Sequence, residues 1–168
     1  FEAVLQISKM LPRCELIGSS DTCGGQKAIL GFLEIIKEKI QASEAICLHV
    51  RRVQYCQCLT LDYYHAAILL IASSCVSPCF FIFSDDLDWC RRNLKISYPT
   101  YYVDNFEDEL YELELMTLCH HFIIANSSFS WWGAWLSQHP DKMVILPEDY
   151  LVSNMNGRVI PMPSKELH

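Results

Sequence analysis

Short apolar runs, each ended by a polar cluster and followed by a helix-length amphipathic stretch, constrain this chain more than any other feature. The runs are Ala45–Val50, Cys79–Phe83, Thr100–Val103, Phe122–Ala125 and Met143–Leu146. They are too short for helices and mostly lack polar alternation, the pattern of strands buried on two faces. Over Gln26–Gln41, Ile29, Leu33, Ile36 and Ile40 form a helical stripe, with Glu34, Lys37, Glu38 and Lys39 on the wet side. Further helices are predicted from a cap at Asp62 to Ser73, from Ser84-Asp85-Asp86 to Leu94, and from Glu107 to Cys119. The acidic first turn of that last helix suits the helix dipole. A final helix is expected from Ser130 to Gln138. Pro147 closes the last strand, and the tail after Tyr150 reads as loop. Strands alternating with helices predict an α/β fold, a parallel sheet with helices on both faces. Right-handed crossovers then bring every strand's carboxyl end to one edge, outside which ligands bind in such sheets.

Bulk properties narrow the class. At 168 residues the chain is long enough for a real core. A hydrophobic content of 51% and a mean hydropathy of +0.14 imply faces covered by something else. A net charge of −7 and a pI near 5.3 argue against nucleic acid, whose binders carry a basic footprint. The 9 cysteines are odd in number and lie in apolar segments, unlike a disulfide scaffold. Cys56-x-Cys58 and Cys75-x3-Cys79 lack a second Cys or His pair at zinc-finger spacing, so buried free thiols and a reducing compartment are expected. No signal-peptide pattern opens the chain at Phe1. The uncharged stretch from Tyr63 to Ser84 is long enough to span a membrane. Ser73, Ser74, Ser77 and Pro78 interrupt it where a helix would turn into a strand, so helix, turn and strand are predicted.

Three polar clusters fall at predicted strand carboxyl ends: His49-Val50-Arg51-Arg52, Ser84-Asp85-Asp86 and Asn126-Ser127-Ser128. Adjacent arginines suit a diphosphate, because a guanidinium forks onto two oxygens and stays charged; a surface ion pair is the ordinary alternative. A helix opening at Asn126-Ser127-Ser128 exposes N–H groups and a partial positive charge suited to phosphate, and the same residues also suit simple capping. His49 lies inside an apolar strand, where a histidine is usually a satisfied core residue. Asp85 and Asp86 suit a ribose or base, or a helix cap. Asp86-x-Asp88 also has the spacing of a metal-holding carboxylate pair, although first-turn acids explain it as well. The tryptophans at 131, 132 and 135 read as packing.

Four segments in order, His49-Val50-Arg51-Arg52, Phe83–Trp89, Glu114–Cys119 and Ile124–Leu136, resemble the α-1,2-fucosyltransferases of glycosyltransferase family 11, over about residues 44–150. The resemblance implies a Rossmann-like sheet forming the carboxyl-terminal, donor-binding half of a GT-B enzyme. In that reading residues 1–43 form a helical lead-in, a remnant of a linker to an acceptor domain, and residues 44–168 the GDP-fucose-binding domain. It implies inverting transfer of fucose from GDP-fucose to the 2-hydroxyl of a terminal galactose on a glycan, with no metal and no cofactor. Arg51, the residue given a catalytic role, would hold the pyrophosphate with Arg52 and compensate charge on the leaving group. Ser127 and Ser128, beside Asn126, would meet a phosphate. Ser84 and Asp85 would face the guanosine, and His49 would line the pocket. The family's motif continues with glycine, aspartate and tyrosine, where this chain has Val53-Gln54-Tyr55. The family's amino-terminal Gly-rich segment is not matched. A non-catalytic nucleotide-sugar-binding remnant is therefore the alternative, and a module built on the cysteines a third. A bacterial member is expected in the cytoplasm with peripheral membrane association, an animal one in the Golgi membrane.

Overall fold

The computed structural model describes residues 23–53, 58–103, 109–149 and 157–163. In chain order these form α1 (Cys23–Gln41), β1 (Glu44–Val50), α2 (Leu61–Ala72), β2 (Pro78–Ser84), α3 (Leu87–Asn93) and β3 (Thr100–Tyr102). There follow α4 (Glu109–Thr117), β4 (His121–Ile123), α5 (Ser128–Leu136), β5 (Met143–Pro147) and β6 (Arg158–Met162). The predicted start of the fourth helix at Glu107 and residues 54–57 lie outside the described residues.

All strand pairs are parallel, and the sheet order is β3-β2-β1-β4-β5-β6. The chain winds outward from β1 to β3, then returns to the other side of β1. Strand order therefore reverses between β1 and β4, the place outside which ligands bind in sheets of this kind. This is the Rossmann-like α/β architecture expected from the alternation of runs.

Two apolar layers sandwich the sheet. On one face Ile46, Leu48 and Val50 meet Tyr63, Tyr64, Ile68 and Ile71 of α2 and Leu87 and Cys90 of α3. On the other, Ala45 and Cys47 meet Leu33, Ile36 and Ile40 of α1, Leu115 and Met116 of α4 and Ala134 of α5. The period of two along β1 assigns alternate residues to opposite layers. α4 and α5 approach closely because position 133 is glycine: a Cβ there would sit 2.7 Å from Met116 Cε. Among the described residues no helix is long and apolar enough to cross a membrane. The uncharged stretch 63–84 is instead most of α2, a turn and β2, as its serines and proline indicate.

Three local expectations need correction. The tail contains a strand, because Arg158–Met162 pairs in parallel with Met143–Pro147. Its exposed edge position and Pro161 hide it from pattern reading, since an edge strand tolerates proline and lacks a second buried face. Gly157 permits the entry, with φ 98°, and a Cβ there would meet the Lys142 carbonyl at 2.6 Å. Thr60, not Asp62, caps α2, accepting from the Tyr63 N–H at 3.3 Å. Finally, α5 begins at Ser128, two residues before the predicted Ser130.

Candidate nucleotide-sugar site

The carboxyl edge of the sheet gathers the three polar clusters on one rim, as parallel strands require. Val50 pairs with Ser84, so β1 and β2 end level. Ile123, the last residue of β4, pairs with Leu48 two residues before the end of β1, which brings the 124–126 turn alongside that end. Arg51 and Arg52 leave β1 on one side of the strand-order reversal. Asn126, Ser127 and Ser128 leave β4 on the other. Tyr63 of α2 braces this turn from below, its buried hydroxyl donating to the Ile124 carbonyl at 2.7 Å.

α5 opens beside this reversal of strand order. Ser127 takes the N-cap position in extended conformation (φ −135°, ψ 134°), yet its side chain makes no capping hydrogen bond. Simple capping therefore does not explain this serine. Ser127 is buried, Asn126 half-buried and Ser128 exposed. The first-turn N–H groups of a helix lack intrahelical partners, so this end carries the partial positive charge that favours an anion.

Asp85 organises the opposite lip. Its carboxylate accepts from the Arg52 N–H at 2.8 Å and the Val53 N–H at 3.1 Å. Arg51 Nε stands 3.7 Å from the same carboxylate, with both side chains 13% exposed. Asp85 is thus engaged with the loop after β1 and sets the course of the two arginines. The Arg52 guanidinium lies 3.9 Å from the Trp89 ring centroid, a close cation–π stack. Ser84 is buried and its hydroxyl accepts from the Asp86 N–H at 3.0 Å. Asp86 caps α3 through the Trp89 N–H at 2.9 Å. Asp88 points to solvent, 82% exposed beside Arg91, so this pair behaves as cap and first-turn acid.

His49 is fully buried and hydrogen-bonded through Nδ1 to the Ser130 hydroxyl. Burial, reinforced by the Arg51 charge, drives its pKa down to about 3, so the ring is neutral at physiological pH. Glu112 of α4 is the acid that linear reading missed. Its burial pushes the carboxyl up to about 7, opposed by Arg51 and aided by Glu109 and Asp85. Nothing in its local sequence separates Glu112 from the other acids of an acidic helix. Ser130 was likewise legible only as the start of a helix.

The tryptophans do pack, but on one another along the outer side of α5. Trp131 and Trp135 stack at 5.6 Å, and Trp132 stands 44% exposed. Cys47, Cys79, Cys90 and Cys119 are buried free thiols, as expected for small apolar residues. Cys56 lies outside the described residues. Cys75 joins Glu44 and His121 at the amino edge, their ligand-type atoms within 4.8 Å of one another. His121 Nδ1 accepts from the Met143 N–H at 3.1 Å, which leaves the ring proton on Nε2. Glu44 accepts from the Ser77 N–H at 2.8 Å. A histidine in that tautomer is a donor to the carboxylate, the wrong state for a metal ligand.

Comparison with known proteins bears on the whole rim. The family model described as glycosyl transferase family 11 matches residues 26–155. The O-antigen biosynthesis glycosyltransferase WbnK of Escherichia coli is 34% identical over 140 residues, 76% of this chain and 46% of that protein. An alpha-1,2-colitosyltransferase of Escherichia coli is 28% identical over 143 residues, 77% of this chain and 49% of that protein. A galactoside 2-alpha-L-fucosyltransferase of Bos taurus is 34% identical over 64 residues, 36% of this chain and 17% of that protein. No solved structure gives a significant match. The chain spans about half the length of the two bacterial relatives. The match runs from α1 through β5 and includes all three polar clusters, so the chain belongs to glycosyl transferase family 11.

Proposed function

We propose that this chain is the donor-binding half of a galactoside α-1,2-fucosyltransferase that moves fucose from GDP-fucose to the 2-hydroxyl of a terminal galactose on a glycan. The observation that carries this reading is the facing of Arg51-Arg52 and the α5 amino terminus across the reversal of strand order. A diphosphate lying there meets guanidinium on one side and helix N–H groups on the other. The transfer is inverting and needs no metal. The acceptor oxygen attacks the anomeric carbon, the bond from that carbon to the phosphate oxygen breaks, and the hydroxyl proton passes to a base. Negative charge then grows on the departing GDP, and Arg51 stabilises it more strongly than it does the bound donor.

Relatives named for fucosyl and colitosyl transfer support a nucleotide-linked deoxysugar as donor and a glycan as acceptor. Calorimetric titration with GDP, against ADP as control and with EDTA present or absent, tests the reading. Selective binding of GDP, insensitive to EDTA, is expected. Absence of GDP binding overturns the donor-site assignment. Parallel assays with GDP-fucose and GDP-colitose then separate the two donor sugars.

A second reading is a nucleotide-sugar-binding protein without turnover. It is favoured by Val53, which stands 71% exposed where the family's motif has glycine. GDP binding without transfer, when the chain is joined to a relative's amino-terminal half, would favour it. A gain of transfer on changing Val53→Gly together with Gln54→Asp in that fusion would count against an irreversible loss.

A further inference from the structure

Two polar side chains, both 0% exposed, face each other beneath the reversal of strand order: His49 near the end of β1 and Ser130 in the first turn of α5. Their hydrogen bond links His49 Nδ1 with Ser130 Oγ across 81 residues of sequence. Burying an imidazole and a hydroxyl is costly unless both are bonded. This pairing satisfies only one ring nitrogen. His49 Nε2 is buried and has no hydrogen-bond partner among the described residues. Orphaned side-chain nitrogens are uncommon in native interiors, and each asks what completes it.

Its position narrows the answer. Leu48 is level with Ile123 and Val50 with Ser84, so His49 stands one residue inside the carboxyl edge. The turn 125–127 and the opening of α5 lie next to it in register. Phe129 packs against the imidazole at 5.8 Å and lies 6.0 Å from the Arg51 guanidinium. The ring is therefore held against the opening of α5 by Ser130 and Phe129, and Phe129 also adjoins Arg51.

We infer that Ser130 is a positioning residue that holds Nδ1 of His49 and so presents Nε2–H as a hydrogen-bond donor to a phosphate oxygen of the nucleotide donor. The inference rests on the donor-site reading above. A neutral imidazole carries a single N–H. When the Ser130 hydroxyl donates to Nδ1, that proton sits on Nε2. The opposite tautomer would aim a lone pair at phosphate oxygens. Arg51 and the α5 dipole supply charge, whereas His49 supplies direction without adding a cation beside Arg51. Serine suits the post because its hydroxyl is a small rotor able to donate.

Two measurements test it. The first is ring ¹⁵N NMR of His49 in the whole chain between about pH 5 and 8, a range in which an ordinary histidine titrates. A single Nε2–H tautomer with no titration is expected. An Nδ1–H tautomer, or a midpoint near that of an ordinary histidine, overturns the inference without any variant or ligand. The second compares wild type with Ser130→Ala for GDP, pyrophosphate and guanosine. Loss of one hydrogen bond's worth of orientation predicts roughly three- to tenfold weaker GDP and pyrophosphate binding. Guanosine binding is expected to be unchanged, and the His49 ring to become a tautomer mixture. Unchanged GDP affinity and an unchanged ring spectrum in Ser130→Ala overturn the role of Ser130 while leaving the donor site standing. If wild type binds no GDP, the donor-site reading fails first and this inference falls with it.

Discussion

The two edges of the sheet carry similar side chains and use them differently. At the amino edge Glu44, Cys75, His120, His121, His139 and Lys142 surround or adjoin a cleft of about 680 Å³. Three of these groups, Lys142, His121 and Glu44, are spent on structure, while His139 Nδ1 is buried without a hydrogen-bond partner among the described residues. Lys142, 1% exposed, donates to the carbonyls of Ala134 at 2.7 Å, Ser137 at 2.9 Å and Trp135 at 3.4 Å, closing the carboxyl end of α5. His121 and Glu44 each accept a backbone N–H. Burial lowers the pKa values of His120 and His121 from that of an ordinary histidine. At the carboxyl edge the Ser127 hydroxyl makes no capping bond and His49 Nε2 is unpartnered among the described residues. A cleft lined with titratable groups is thus a poor guide by itself. Unspent hydrogen-bonding capacity beside a helix amino terminus is a better one.

This contrast is open to attack by mutation, and the largest effect is expected at the carboxyl edge. Arg51→Ala removes a charge-assisted contact worth roughly 1.5–3 kcal/mol, which is about ten- to a hundredfold in GDP affinity by calorimetry. An unchanged affinity would move the site off this edge. Lys142→Met is expected to act on stability alone. It leaves three carbonyls without their cation and lowers stability by roughly 1–3 kcal/mol in urea melts. A loss of GDP affinity in stable Lys142→Met protein would break the division of labour between the edges.

Smaller effects sharpen the picture. Asp85→Ala frees the Arg52 and Val53 amides and slackens the arginine loop, for an expected GDP loss of about tenfold, or roughly 1.4 kcal/mol. Tighter binding in this variant would instead mean that the Asp85 carboxylate occupies ground a phosphate needs. Ser128→Ala should weaken GDP by about two- to tenfold and leave guanosine unaffected. Equal losses for both ligands would deny this serine a phosphate role.

The smallest effect concerns pH. Glu112 has its folded pKa raised to about 7, above the ordinary 4.5. Its burial therefore costs nothing while both states are protonated, at low pH. The cost grows as pH rises from about 4.5 to 7 and is constant above. Glu112→Gln is expected to raise the melting temperature at pH 8 by roughly 2–4 °C and to change it little at pH 4. A rise of the same size at both values would assign the gain to packing. His49 runs the other way, because its depressed pKa removes stability as pH falls below about 6.5 toward 3.

Much of this molecule is local in origin and hence legible in the linear chain. Apolar runs doubly buried in a parallel sheet, their alternation with helical stripes, and the carboxyl-edge placement of the Arg51, Ser84 and Asn126 clusters all follow from period and topology. The sequence also determined that residues 63–84 fold as helix, turn and strand, since serines and a proline interrupt a run that hydropathy alone would send into a membrane. Tertiary structure alone decided the partners. It put Asp85 onto the Arg52 and Val53 amides, Ser130 onto His49 and Glu112 within reach of Arg51's charge. It also made a strand of Arg158–Met162, whose own pattern is weak until β5 offers it an edge. The physical reason is common to all four. A period reports which face of an element is apolar, whereas a buried polar group is settled by whichever distant donor or acceptor the packed layers bring to it.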